Sequence, residues 1–180
     1  MARRRFLEKY NGRKLEWLHD SLAFIVMAVC AIILFRFIIG FSIVGGDSME
    51  PNLSDGEFVL YNRLVSDYKT GDTVSLRMAS GEYYVKRVIA AGGEEVDIKD
   101  GMVYVNKKKL NEPWAEGETF EETGAVIYPY KVRNGNVFVL GDNRNVSVDS
   151  RAFGEVSKRQ IKGRIMLRMG KWYIHGIKNF

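Results

Sequence analysis

The sequence predicts a mainly β protein with one long apolar helix near its amino terminus, and two observations lead to this fold class. Residues 21–41 read SLAFIVMAVCAIILFRFIIGF, in which Arg36 is the only charge. The remainder consists of short runs of β-branched and aromatic residues, which are separated by turn-forming pairs such as Asp-Gly and Ser-Gly. A chain of 180 residues is long enough for one such β domain and the helix.

The apolar run at residues 21–41 is predicted to be a transmembrane anchor. About 20 apolar residues cross a bilayer core, and Arg36 lies close enough to the far end to reach the interface. A buried core helix is the alternative, but core helices rarely remain apolar on every side over this length. A cleaved signal peptide would have a shorter apolar region of roughly 7–15 residues, and no Ala-x-Ala pattern follows this run.

The distribution of charge predicts the orientation of this anchor. Residues 1–20 contain six basic and three acidic residues, so they carry +3 of the net charge of +5. Basic residues favour the cytoplasmic side, which makes residues 1–20 a cytoplasmic tail and residues 42–180 an extracytoplasmic domain at the cell membrane. Since residues 21–180 carry only +2, the folded part lacks the basic surface that nucleic-acid binding requires.

Six runs are predicted to be strands of an antiparallel, barrel-like sheet. They are residues 58–61, 73–76, 83–89, 103–105, 137–140 and 165–167. Asp100-Gly101 lies between two apolar-polar segments and predicts a two-residue hairpin turn. We expect residues 94–136 to form a smaller inserted β subdomain. Within it, residues 111–133 are acidic and form either a lid or a solvated loop.

The scarcity of cysteine and histidine restricts the chemistry that the chain can perform. Cys30 is the single cysteine, so no intramolecular disulfide is possible. His19 and His175 are the only histidines, which leaves too few ligands for a conventional zinc site, and we predict no metal or cofactor. Only His175 follows the apolar run, which argues against a Ser-His-Asp triad and directs the search toward another general base.

Two residues are candidates for nucleophile and base. Ser48 follows Gly45 and Gly46 in a turn whose backbone could approach a substrate closely, although Gly-Asp-Ser is also an ordinary turn sequence. Lys86 lies on a predicted strand, on the same face as Tyr84. Burial on an apolar face would lower the pKa of Lys86 toward the range of a general base, and a lysine on a solvated face is the alternative.

In chain order, four motifs resemble those of the bacterial type I signal peptidases. Ser48 to Pro51 matches Ser-Met-x-Pro, and Gly71-Asp72 matches a Gly-Asp pair at a strand entry. Tyr84 to Ile89 matches Tyr-x-Lys-Arg-Val-Ile, and Gly141 to Gly154 matches Gly-Asp-Asn-Arg-x-x-Ser-x-Asp-Ser-Arg-x-x-Gly in full. The polar stretch from 141 to 154 could alternatively be a hairpin loop, but the ordered set of motifs behind an apolar anchor supports the resemblance.

The resemblance implies a membrane-anchored serine endopeptidase that removes signal peptides from secretory preproteins. Ser48 would attack the carbonyl at the cleavage site, neutral Lys86 would accept its proton, and Ser147 would orient Lys86. The backbone N–H of Ser48 would line the oxyanion hole. Some members of the family have a serine as second donor two residues earlier, where this chain has Gly46, so the second donor is not assigned.

The same motifs imply supporting and substrate-binding residues. The supporting residues are Ser147, Asp149, Arg151, Asp142 and Arg87. In this family the substrate adds as an extended strand with small residues at positions −1 and −3. We expect Met49, Pro51 and Tyr84 to contact it, and Met49, Tyr84 and Val88 to shield Lys86. Residues 94–136 would be non-catalytic, and the partners would be preproteins and the lipid bilayer.

Two other readings of these motifs are possible. Self-cleaving repressor-type proteases also use a Ser–Lys pair, but they carry a DNA-binding domain where this chain has an apolar run. A catalytically silent, anchored β module is the alternative from another functional class, although both Ser48 and Lys86 are present. The sequence does not distinguish general preprotein processing from a dedicated substrate such as a pilin.

Overall fold

The computed structural model describes residues 2–122 and 126–171. His175 and residues 123–125 of the acidic segment lie outside these ranges. The chain divides into two compact units, with the boundary between Ile38 and Ile39.

The first unit is helical. Helix α1 spans Ala2–Ile33 and continues as a π-helical turn at Leu34–Ile38. The stretch His19–Ile38 has 20 residues, a mean hydropathy of 2.6 and no buried residue, so it is long and apolar enough to cross a membrane. The predicted anchor extended to residue 41, whereas the helix ends at Ile38 and the next residues form a strand.

The second unit is built from β-strands. In chain order, these are β1 Ile39–Ile43, β2 Glu57–Asn62, β3 Thr73–Arg77, β4 Tyr83–Ala91, β5 Glu95–Lys99, β6 Met102–Val105, β7 Lys108–Lys109, β8 Tyr130–Lys131, β9 Asn136–Leu140, β10 Val156–Ser157 and β11 Ile161–Lys171. A short helix, α2, spans Ser150–Phe153, and a 3₁₀ turn spans Lys158–Gln160. The prediction of a mainly β fold with one amino-terminal apolar helix is confirmed.

The strands of the described residues form two antiparallel sheets. A seven-stranded sheet has the order β1-β2-β11-β3-β4-β9-β10, and a four-stranded sheet has the order β7-β6-β5-β8. All six predicted runs lie within strands of these sheets. The predicted hairpin turn joins β5 to β6, with positive φ angles of 51° at Asp100 and 73° at Gly101, as a type I′ turn requires.

Strands β4 and β9 contribute to two hydrophobic clusters because their successive side chains point to opposite faces. Val88 and Val139 belong to one cluster, which lies on one face of the seven-stranded sheet. Ile89 and Phe138 belong to the other, together with residues of the four-stranded sheet such as Val96. Strand β4 is therefore held on both faces, which gives the residues on it little freedom to move.

Candidate active site

Ser48 lies in the turn between β1 and β2, and this turn is anchored by the side chain that follows it. Met49 is fully buried in a cluster with Val44, Leu53 and Val59. The backbone is closed by hydrogen bonds from Glu50 N to Asp47 O (3.1 Å) and from Leu53 N to Met49 O (2.9 Å). The half-buried Ser48 thus lies on a turn that is held in place by the buried Met49 side chain.

Lys86 lies near the middle of β4, directly beside Ser48. Its Nζ atom is 2.8 Å from Oγ of Ser48 and 3.0 Å from Oγ of Ser147. The residue is only 3% exposed, and the Tyr84 ring centroid lies 5.6 Å from Nζ. The predicted alternative of a lysine on a solvated face is therefore wrong.

Burial controls the protonation of Lys86. Loss of hydration is the largest effect, and it lowers the pKa of Lys86 from 10.5 to about 8. Asp149 and Asp142 act in the opposite direction and raise the pKa, while Arg151 lowers it. The outcome is an amine that is substantially neutral slightly above neutral pH, as a general base must be.

Ser147 is held by the polar loop that follows β9. Asp149 caps α2, accepting a hydrogen bond from the backbone N–H of Arg151, and it also accepts one from Gly141 N at 3.0 Å. The Arg151 side chain donates to Asp149 Oδ1 (2.9 Å) and to the carbonyl of Ser147 (3.2 Å). This buried ion pair fixes the loop rather than contacting Ser48.

Gly141 is the point of closest approach between this loop and the Ser48 turn. A Cβ atom at position 141 would overlap the Ser147 side chain and the carbonyl oxygen of Ser48. In addition, Asn143 N donates to that same carbonyl at 3.1 Å. A glycine is therefore required here for the three polar side chains of the site to meet.

Arg87 and Asp142 form a second ion pair next to the site, in which Asp142 is fully buried and Arg87 is half-buried. Arg87 donates from Nε to Asp142 Oδ1 (2.7 Å) and from Nη2 to Oδ2 (2.5 Å), and its Nη1 donates to the carbonyl of Gly71 (2.8 Å). The guanidinium also lies 4.9 Å from the Trp114 ring centroid. Because Arg87 and Lys86 are neighbours on a strand, their side chains point to opposite faces.

The three residues that were expected to bind substrate differ in their accessibility. Pro51 is exposed and Tyr84 is half-buried beside Lys86. Met49 is 0% exposed, and Val88 is likewise fully buried. Both pack in the core and offer no surface to a substrate, which corrects the expectation of a substrate contact for Met49.

The packing of the acidic segment against the polar loop was not predicted from the sequence. Arg144 is almost completely buried and donates to Glu112 Oε1 (2.5 Å) and to the hydroxyl of Thr119. Glu116 N donates to Asp142 O (2.7 Å), and Arg144 N donates to Glu116 O (2.9 Å). Residues 111–122 therefore brace the polar loop through Glu112, Glu116 and Thr119, while side chains such as Glu118 and Phe120 are exposed. The expected lid or solvated loop stays a prediction. Arg144 in the loop and Glu112, 32 residues earlier in the sequence, were the available signals, but their pairing depends on how the chain folds.

The chemistry that these groups support is covalent catalysis by a serine. A serine hydroxyl within hydrogen-bonding distance of a neutral, buried amine can lose its proton to that amine as it attacks a carbonyl. Among the residues that the structure describes, no group of three or more His, Cys, Asp or Glu side chains is placed to hold a metal ion. The arrangement is one that can support hydrolysis by a serine, with the neighbouring amine placed to accept the hydroxyl proton.

Comparison with known proteins identifies the family. The family model described as "Signal peptidase, peptidase S26" matches residues 15–172. The chain belongs to this family and is a serine peptidase, which confirms the resemblance predicted from the four motifs.

Curated relatives agree with this assignment. Signal peptidase I of Bacillus amyloliquefaciens is 36% identical over 159 residues, which cover 83% of this chain and 84% of the relative. Signal peptidase IB of Staphylococcus aureus is 36% identical over 174 residues, which cover 86% and 88%. A crystal structure of a signal peptidase I from Enterococcus faecalis V583 is 27% identical with a TM-score of 0.48, and the match covers 56% of this chain and 97% of that chain.

Proposed function

We propose that this chain is a membrane-bound serine endopeptidase that removes amino-terminal signal peptides from secreted preproteins, with Ser48 as nucleophile and Lys86 as general base. The observation that carries the proposal is the 2.8 Å separation between Ser48 Oγ and Lys86 Nζ inside a site where Lys86 is 3% exposed. A lysine with an ordinary pKa of 10.5 would be almost entirely protonated at neutral pH, whereas Lys86 has a pKa of about 8.

The mechanism follows from these positions. Neutral Lys86 accepts the Ser48 proton as Oγ attacks the scissile carbonyl, and the backbone N–H of Ser48 stabilises the negative charge on the oxygen. Protonated Lys86 then donates to the leaving amine, and the acyl-enzyme is hydrolysed by a water that Lys86 activates. Ser147 keeps Nζ directed at Ser48 throughout, because its hydroxyl lies 3.0 Å from that nitrogen.

Membrane attachment is supported by the helical unit. Its apolar stretch His19–Ile38 has the length and hydropathy of a single span. The six basic residues before it favour a cytoplasmic amino terminus and an extracytoplasmic β unit. In this arrangement residues 1–20 are a cytoplasmic tail, residues 42–180 hold the catalytic site, and residues 94–136 are a non-catalytic insertion.

The substrate is a preprotein with small residues at positions −1 and −3. The curated relatives are named signal peptidases, and a strand-like substrate would add to the sheet near β4. Tyr84 and Pro51 are the predicted contacts that retain accessible surface. General preprotein processing is favoured over a scaffold role because the nucleophile and the base are both present and within hydrogen-bonding distance.

The test is cleavage of a purified preprotein by the detergent-solubilised full-length chain, followed by sequencing of the new amino terminus of the product. We expect a single cut after a small-x-small site, and loss of that cut when the −1 residue of the substrate is changed from Ala to Phe. Ser48→Ala enzyme prepared in the same way controls for contaminating proteases. Absence of cleavage of several preproteins by wild-type enzyme would support the silent β module instead.

A further inference from the structure

The side-chain amide of Asn52 joins three separate parts of the fold. Asn52 belongs to the turn that carries Ser48, since its backbone N–H donates to Met49 O at 3.0 Å. Its Nδ2 atom donates to the carbonyl of Trp114 at 2.7 Å and to Asp142 Oδ2 at 2.9 Å. An amide nitrogen has two hydrogens, so both donors of Asn52 are used, one on the acidic segment and one on the polar loop.

Asp142 continues this connection to the strand that carries the base. It is fully buried, and its Oδ2 accepts from both Asn52 Nδ2 and Arg87 Nη2. Arg87 directly follows Lys86 on β4, and its guanidinium lies over the Trp114 ring. The path from the Ser48 turn through Asn52, Asp142 and Arg87 therefore ends one residue from Lys86.

We propose that Asn52 is a positioning residue that holds the Ser48 turn against β4, so that Ser48 Oγ stays within reach of Lys86 Nζ. The inference rests on the proposed function, because it assigns a role to Asn52 only if Ser48 and Lys86 react as a pair. Asn52 acts through Asp142 and the Trp114 carbonyl, since its amide donates to those two groups rather than to either reacting atom.

Loss of the Asn52 amide is expected to shift the turn without unfolding it. Other restraints on the turn would remain, among them the buried Met49 side chain and the hydrogen bond from Asn143 N to Ser48 O. A displacement of about 1 Å between reacting groups is enough to lower a rate by about 100-fold. A modest movement of Ser48 away from Lys86 would thus reduce catalysis more than stability.

The experiment uses the full-length enzyme with Asn52→Ala and with Asn52→Leu, which keeps the approximate size of the side chain but removes its donors without adding a charge beside Asp142. Asn111→Ala is the matched control, because Asn111 is exposed on the same acidic segment that Asn52 contacts. We expect kcat to fall by about ten-fold or more in both Asn52 variants. KM should stay within about two-fold of wild type, and Asn111→Ala should match wild type.

The pH profile separates positioning from a merely structural role. Burial lowers the pKa of Lys86, and a displaced turn would admit water to its amine, so the acidic limb of kcat/KM should move to higher pH in Asn52→Ala. The charged groups around Lys86 are Asp149, Asp142 and Arg151, and none of them is changed in that variant. Global destabilisation would instead lower the amount of active enzyme without changing the pH at which the acidic limb of kcat/KM falls.

Each outcome decides the proposal. A wild-type kcat in Asn52→Ala would overturn it. So would a loss of activity in proportion to a loss of folded protein, if the acidic limb of kcat/KM stays at its wild-type pH. Full activity in Ser48→Ala or Lys86→Ala would overturn the proposed function itself. Inactivity of those two variants combined with full activity of Asn52→Ala would overturn the role of Asn52 alone.

Discussion

The Oγ atom of Ser48 lies 2.8 Å from Nζ of Lys86, although the two residues are 38 positions apart in the sequence. The serine is carried by a turn and the lysine by an interior strand of the seven-stranded sheet. This difference matters because the strand supplies the burial that lowers the pKa of the Lys86 amine, while the turn keeps the Ser48 hydroxyl accessible to a substrate.

Activity should depend on pH through Lys86. The base is functional only when neutral, so kcat/KM is expected to rise with pH, to reach half its maximum near the Lys86 pKa of about 8, and to level off above it. The measurement is a kcat/KM profile from about pH 6 to about pH 10, with the folded fraction monitored over the same range. A profile that is flat through this range would show that another group is the base.

Replacing Lys86 with methionine should increase stability at neutral pH. A pKa lowered from 10.5 to about 8 corresponds to as much as about 3 kcal/mol of unfavourable burial of the charged form. Between about pH 8 and pH 10.5 the unfolded chain binds more protons than the folded one, so the stability of the wild type rises with pH. The difference in unfolding free energy between Lys86→Met and the wild type therefore becomes smaller as the pH rises. Denaturant unfolding at pH 7 and pH 10 measures both effects, and a less stable variant at pH 7 would contradict the account.

Ser147→Ala should lower kcat more than it raises KM. The hydroxyl of Ser147 lies 3.0 Å from Lys86 Nζ, and its loss lets the amine turn away from Ser48. We expect a decrease in kcat on the order of 10-fold to 100-fold, measured by steady-state cleavage. The exposed Ser66 provides the matched control, so equal activities of Ser147→Ala and Ser66→Ala would remove Ser147 from the mechanism.

Gly141→Ala should abolish most activity, because the added methyl group would overlap the Ser147 side chain and the Ser48 carbonyl. Overpacking of a tight site destabilises a protein by about 1–3 kcal/mol, so the variant is expected to fold with reduced stability. Unfolding midpoint and cleavage rate are measured on the same preparation. A folded Gly141→Ala enzyme with wild-type kcat would show that the approach of the loop to the Ser48 turn is looser than the structure describes.

Much of the β unit could be predicted from local sequence. The Asp100-Gly101 turn is an example, since only a few residues adopt its two positive φ angles easily. The end of the apolar helix at Ile38 could not be predicted in this way. Residues 39–41 are as apolar as the helix before them, and hydropathy does not distinguish the last turn of a helix from a strand with an apolar face.

Contacts between distant segments were less accessible to sequence reasoning. Ser48 and Lys86 are paired through the family resemblance. From the residues alone, Ser48 could lie in an ordinary turn and Lys86 on a solvated face of a strand. Met49 adjoins Ser48, yet whether its side chain faces the core or a substrate depends on the turn geometry. The pair of Arg144 and Glu112 joins two polar stretches, either of which could have been solvated.

The central claim is that Ser48 and Lys86 act as one catalytic unit, and the most direct test compares Ser48→Ala, Lys86→Ala and the double variant. Groups that act together are strongly non-additive, so each single variant is expected to lose on the order of 1000-fold in kcat or more, and the double variant to lose no more than either. The rates are measured on one purified preprotein. A Lys86→Ala enzyme that keeps wild-type kcat, or losses that multiply in the double variant, would contradict the account.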